Sequence, residues 1–108
     1  MVGRIFNVVF TQLANRRLNQ IVDDLGQRAS GSVALRIRQD IIREAKRLEK
    51  LPNSRPKLPD TEALDFEVRY TKSRKYKIIF RVVDHQDVVR VLSIRHDAED
   101  PVSIRDDL

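Results

Sequence analysis

The densest set of side chains able to do chemistry lies between Tyr76 and Pro101, YKIIFRVVDHQDVVRVLSIRHDAEDP. It holds Lys77, Arg81, Arg90, Arg95 and both histidines, His85 and His96. Cations fixed at regular spacing beside an imidazole suit a large anionic ligand, provided that a rigid element aims them the same way. Two runs rich in Ile, Val and Phe flank Asp84-His85-Gln86-Asp87 and alternate with the period of two expected of strands. A two-residue loop at His85-Gln86 predicts a hairpin in which Val83 faces Val88, Arg81 faces Arg90 and Lys77 faces Ile94. One face then carries Tyr76, Ile78, Phe80, Val82, Val89 and Val91. The other carries Lys77, Arg81, Arg90 and His96 among Ile79, Val83, Leu92 and Ile94. A slip of one residue would exchange these faces on one strand.

The charge is unevenly spread. The chain has 21 Lys and Arg against 16 Asp and Glu, a net charge of +5. Val68 to Val83 contains Arg69, Lys72, Arg74, Lys75, Lys77 and Arg81 with no carboxylate, whereas Asp84 to Leu108 contains seven acids and three arginines. Two readings of the basic run stand side by side: a polyanion-binding patch, and solvated positions guarding the edge of a sheet. At 108 residues the chain fits one domain spanning 1–108. It lacks any apolar run near the ~20 residues needed to cross a bilayer. The absence of cysteine removes disulfides and thiolate metal sites and agrees with a reducing compartment. The expected location is the cytoplasm, with no membrane partner. Two histidines are too few for an ordinary metal site, and only three glycines leave no phosphate-cradling loop, so neither a metal nor a cofactor is expected.

The elements that must hold these residues follow from periodicity. Ile5 to Phe10 reads as a strand, and Thr11 as the N-cap of a helix whose Ala14, Leu18, Ile21, Val22 and Leu25 form one apolar stripe. Gly26 or the Arg28–Gly31 stretch ends it. Ser32 is the expected cap of a second helix with Ala34, Ile37, Ile41, Ala45 and Leu48 inward and Arg36, Arg38, Arg43, Lys46 and Arg47 outward. Pro52 stops that helix, and Pro56 and Pro59 stiffen the connection after it. Phe66, Val68 and Tyr70 mark a strand from Asp65 to Thr71, and Lys72 to Lys75 turn the chain into the hairpin. Two amphipathic helices must bury their stripes on a sheet. The expected fold is therefore α+β in the order βααβββ, a mainly antiparallel four-stranded sheet with a two-helix hairpin on one face and the other face open. Asp106 and Asp107 read as a frayed tail.

This order of elements, the tail of the second helix through Leu48, Leu51 and Pro52, and the strands YKIIFRVV and VLSIRHD together resemble the RelE/ParE superfamily of bacterial toxins over nearly the whole chain. The resemblance implies the toxin of a type II toxin-antitoxin module, bound in a hetero-oligomer by a cognate antitoxin. An acidic antitoxin segment that folds on contact would complement a positive, partly apolar face. One branch of the superfamily cleaves messenger RNA on the ribosome; the other inhibits DNA gyrase without nuclease chemistry. The expected activity is the first, with gyrase inhibition, or an inactive homologue that only binds its antitoxin, as the alternatives. For the first branch the resemblance implies a metal-independent endoribonuclease with His96 as acid or base and Lys77, Arg81 and Arg95 stabilising the phosphorane charge. Arg69, Lys72, Arg74, Lys75 and Arg90 would hold RNA phosphates. The chain departs from both branches. No Tyr follows Tyr76, where several ribonuclease members place one after the last strand. Glu99-Asp100 is acidic where gyrase-directed members carry basic residues after the strand-ending His. A simpler role for His96 is to close the strand end by hydrogen bonding to Asp97 or Asp100.

Overall fold

The computed structural model describes residues 3–99 and 107–108. After β1 (Asn7–Phe10) the chain enters α1 (Gln12–Arg28) and α2 (Gly31–Lys46), and then β2 (Arg69–Ser73), β3 (Tyr76–Val83) and β4 (Val88–His96). The sheet order is β1-β4-β3-β2, with β1 parallel to β4 and the other pairs antiparallel. The α+β order βααβββ is thus observed.

Each helix begins where a hydroxyl satisfies an otherwise orphaned N–H. Thr11 Oγ1 accepts from Ala14 N at 3.1 Å. For α2 the cap is Ser30 and not Ser32: Ser30 is extended (φ −162°, ψ 161°) and its Oγ accepts from Val33 N at 3.2 Å, so the helix starts two residues earlier than expected. Both stripes pack on one side of the sheet. Ala14 and Leu18 of α1 and Ile41 and Ala45 of α2 form a core with Tyr76, Ile78, Phe80, Val89, Val91 and Ile94. Burying each large aliphatic or aromatic side chain there contributes about 1.5–3 kcal/mol, which makes this contact the main source of stability.

Three expectations about the strands need correction. The second strand is Arg69–Ser73 and not 65–71, because Leu58 N bonds Val68 O at 2.8 Å and Tyr70 N bonds Pro56 O at 3.1 Å, drawing 55–68 into a packed connection. The turn into β3 shrinks to Arg74-Lys75, with Arg74 at φ 55°. The sheet's second face is not open throughout. Leu58 and Val68 bury Ile79, joined by Leu64, Phe66, Tyr70 and Leu108, so an isolated apolar patch among the cations acquires its own small core.

Candidate functional site: a row of cations and its counterions

Register decides what this sheet can do. Val83 pairs with Val88 and Arg81 with Arg90, as the hairpin reading predicts. Beyond Phe80↔Val91 the ladder shifts to Ile79↔Ser93, leaving Leu92 as an extra residue on β4. The Leu92 carbonyl takes a hydrogen bond from Thr11 Oγ1 at 3.3 Å, so the residue that caps α1 also satisfies the bulge. As a result Lys77 opposes Arg95 and not Ile94, and His96 opposes Tyr76.

The bulge also moves His96 and Ile94 to the helix side. Ile94 joins the helix-covered core, and the His96 ring meets Tyr76 edge to face, with centroids 5.2 Å apart. The expectation that both residues share a face with Lys77 and Arg81 is therefore corrected. A one-residue insertion inverts the sides of everything after it. His96 Nδ1 accepts from Ala98 N at 2.9 Å, so its neutral ring carries the proton on Nε2. His96 lines a groove of about 620 Å³ between α1 and the end of β4, together with Arg17, Gln20, Asp24, Tyr76 and Glu99. Burial, then the nearby Asp24 charge, raise the Tyr76 hydroxyl above its ordinary pKa. Strand closure through Asp97 is not seen: Asp97 pairs with Lys72 at 2.8 Å, and that bond holds its carboxyl below the usual range. Asp100 lies outside the described residues.

On the opposite face three strands place Lys72, Lys77 and Arg95 side by side in one row, and Arg81 beside Arg90 in another. Like charges directly opposite one another destabilise a sheet, so each needs compensation. Lys77 Nζ lies 5.4 Å from the Tyr70 ring centroid, and the Arg81 guanidinium 4.4 Å from that of Phe66. These stacked cations keep charge available to a ligand. Arg81 Nε is buried without a hydrogen-bond partner. Arg90 is exposed.

Arg95 is differently placed. Its side chain is 5% exposed, and it bonds Glu99 at 2.9 Å and Asp107 at 2.7 Å. The Asp107 side chain is 4% exposed and also takes Arg17 at 2.6 Å and the Ser93 hydroxyl at 2.8 Å. Burial alone would raise the Asp107 carboxyl, but hydrogen bonds from Arg17, Ser93 and Arg95 outweigh it and hold its pKa below the ordinary value. Asp107 is thus an internal anion and no frayed tail; Asp106 lies outside the described residues. Of the other expected phosphate contacts, Arg69 bonds the Arg55 carbonyl and Glu67, and Arg74 pairs with Asp40 of α2. Lys75 is exposed in the turn. The structure therefore brings together Lys72, Lys77, Arg95, Arg81 and Arg90, and keeps His96 apart. Sequence reasoning missed Arg17, Ser93, Phe66 and Asp107. Among the described residues no cluster of His, Asp or Glu is placed to hold a metal, and no helix is long and apolar enough to cross a membrane.

A parallel edge strand, a two-helix layer and a three-strand antiparallel meander with a cationic far face define a small α+β architecture, and comparison with known proteins assigns it to a family. Residues 8–101 match the family model described as the ParE toxin of the type II toxin-antitoxin system, parDE. The chain belongs to that family, within the RelE/ParE superfamily. Among solved structures it is similar to a chain of the chromosomal ParDE toxin-antitoxin system from P. aeruginosa. There the TM-score is 0.71 at 21% identity, covering 87% of this chain and 98% of that one. It is also similar to a chain of the RelBE2 toxin-antitoxin complex from Mycobacterium tuberculosis, with TM-score 0.63 and 21% identity over 88% and 94% of the two chains. No curated protein matches it.

Proposed function

We propose that this toxin acts by binding a protein target, DNA gyrase, without cutting RNA, and that an acidic antitoxin neutralises it in a hetero-oligomer in the cytoplasm. The observation that carries the reading is the separation of His96 from Lys77 and Arg81 by the thickness of the sheet. General acid-base catalysis needs the imidazole within hydrogen-bond reach of the atoms whose charge the cations stabilise. Here the imidazole serves one side and the stacked cations the other. Arg95, the remaining expected catalytic cation, is neutralised by two carboxylates. The family description and the toxin-antitoxin neighbours support the antitoxin partner.

A second reading has its own support. Lys77 over Tyr70 and Arg81 over Phe66 form the cation-aromatic surface that single-stranded RNA favours, which keeps ribosome-dependent message cleavage by Lys77, Arg81, Arg95 and His96 as the alternative. Adding purified protein to a gyrase supercoiling reaction and to a translation reaction separates the two. Loss of supercoiling with intact message is the expected result; codon-dependent cuts in ribosome-bound message, abolished in His96→Ala, would replace it with the second reading.

A further inference from the structure

Leu51 has an unusual backbone for its residue type. It follows the short helical turn Arg47–Glu49 and adopts φ 51°, ψ 47°, left-handed geometry that glycine takes freely and a side chain with a Cβ resists. Among the described residues the others of positive φ are Asp60, Arg74 and Asp87, each polar and in a loop or turn. Leu51 is the apolar exception, and it immediately precedes Pro52, which narrows its backbone freedom further. The conformation is held by the buried Pro52 ring on one side and by Ser54, whose N and Oγ both donate to the Leu51 carbonyl at 3.1 and 2.7 Å. The side chain gains no burial in return: Leu51 is 76% exposed. A strained backbone that presents an apolar side chain to solvent points to a contact outside the chain.

The surroundings say what kind. Leu51 forms a ridge between two depressions. One, of about 530 Å³, is apolar and contains Ile5 (itself 51% exposed), Phe6 and Pro52. The other, of about 640 Å³, is ringed by Arg43, Lys46, Arg47, Lys50 and Arg55, with Glu49 as its one acid. Arg43 is paired with Asp40, and Arg47 and Arg55 with Glu44. Lys46 and Lys50, four residues apart, are exposed, and among the described residues neither pairs with a carboxylate. Apolar anchors beside unneutralised cations fit a segment with apolar side chains on one edge and carboxylates on the other.

We infer that the Ile5–Leu51 ridge with Lys46 and Lys50 is a docking surface for an acidic amphipathic segment of the antitoxin. This rests on the antitoxin pairing proposed above and assigns it a place away from the cationic sheet face. Leu51 fills an apolar notch of the partner, and the two lysines receive its carboxylates.

The test uses the full chain and the purified product of the neighbouring reading frame, with the dissociation constant measured by calorimetry or competition. Leu51→Gly removes the anchor and suits the backbone, so the variant should melt at or above the wild-type temperature yet bind at least about tenfold more weakly. Lys46→Glu with Lys50→Glu should weaken binding and flatten its salt dependence. Leu35→Gln, at an exposed apolar position of α2 away from the ridge, should change neither. Wild-type affinity in both Leu51→Gly and the double lysine variant would overturn the site while leaving the pairing intact. Absence of binding by the wild-type chain would overturn both. Undiminished antitoxin affinity together with lost gyrase inhibition in Leu51→Gly would assign the ridge to the target and overturn the antitoxin as its occupant.

Discussion

Replacing Asp107 by Asn should destabilise the protein by about 3 kcal/mol, because this carboxylate is the shared counterion of two guanidiniums. Removing one partner of a buried ion pair costs about 3–5 kcal/mol through the charge left behind. The structure argues for the lower end. Arg95 keeps its bond to Glu99 at 2.9 Å, and Arg17, with a third of its side chain exposed, recovers hydration. Asn keeps one oxygen for Ser93 or Arg95 but turns an amide N–H₂ toward the other donors. At roughly 4 °C per kcal/mol for a domain of this size, thermal unfolding at pH 7 should fall by about 12 °C. Urea unfolding should show a lower midpoint with an unchanged slope. Coupling is testable as well. Arg17→Ala alone should cost less than Asp107→Asn, and adding it to Asp107→Asn should cost almost nothing further, since the contact is already gone. A variant melting within a degree or two of wild type would show that Asp107 is not held as described, and the assignment of Arg95 as a neutralised cation would fall with it.

Two other outcomes follow from the same contacts. The Asp107 and Asp97 carboxyls lie below their ordinary pKa in the folded protein, so the unfolded chain binds more protons between the two values. Their stabilisation should be complete above about pH 5 and fade as pH falls from the ordinary carboxylate value of about 3.9 through the depressed one; Asp107→Asn should remove much of this acid-side slope in a melting-temperature profile. Thr11→Ala removes both the cap of α1 and the donor to the Leu92 carbonyl, and should cost about 1–2 kcal/mol in chemical denaturation, with Thr11→Ser recovering most of it.

The layers of the fold were legible because burial imposes a period. Ala14 and Leu18, Ile41 and Ala45, and Ile78 and Phe80 recur at spacings that only one partner face can satisfy, and Thr11 is a cap by chemistry alone. The connection from 55 to 68 was harder. Phe66, Val68 and Tyr70 alternate like a strand, yet the backbone there bonds to Pro56 and Leu58 and packs beneath Ile79. Nothing local distinguishes those outcomes. Asp107 was illegible for the same reason: its partners are 90, 14 and 12 residues away.

The bulge is a different case, since its trace is in the sequence. In VVRVLSIRH the polar side chains before the terminal His96 fall at Arg90, then Ser93 and Arg95, so their parity changes between 90 and 93. A strand whose polar positions switch from even to odd has one residue inserted, and Leu92 is the apolar residue at the switch. Read with an unbroken period of two, the run puts His96 on the face of Lys77 and Arg81; read with the parity change, it puts His96 opposite Tyr76 on the other face. The two registers differ in what they bury: the parity change turns Ile94 into the helix-covered core, where the unbroken run would put Ser93 and Arg95. What separates them is that Ser93 and Arg95 must reach Asp107 and share a face with Lys77. The placement of one imidazole therefore rests on where two polar side chains find their counterion.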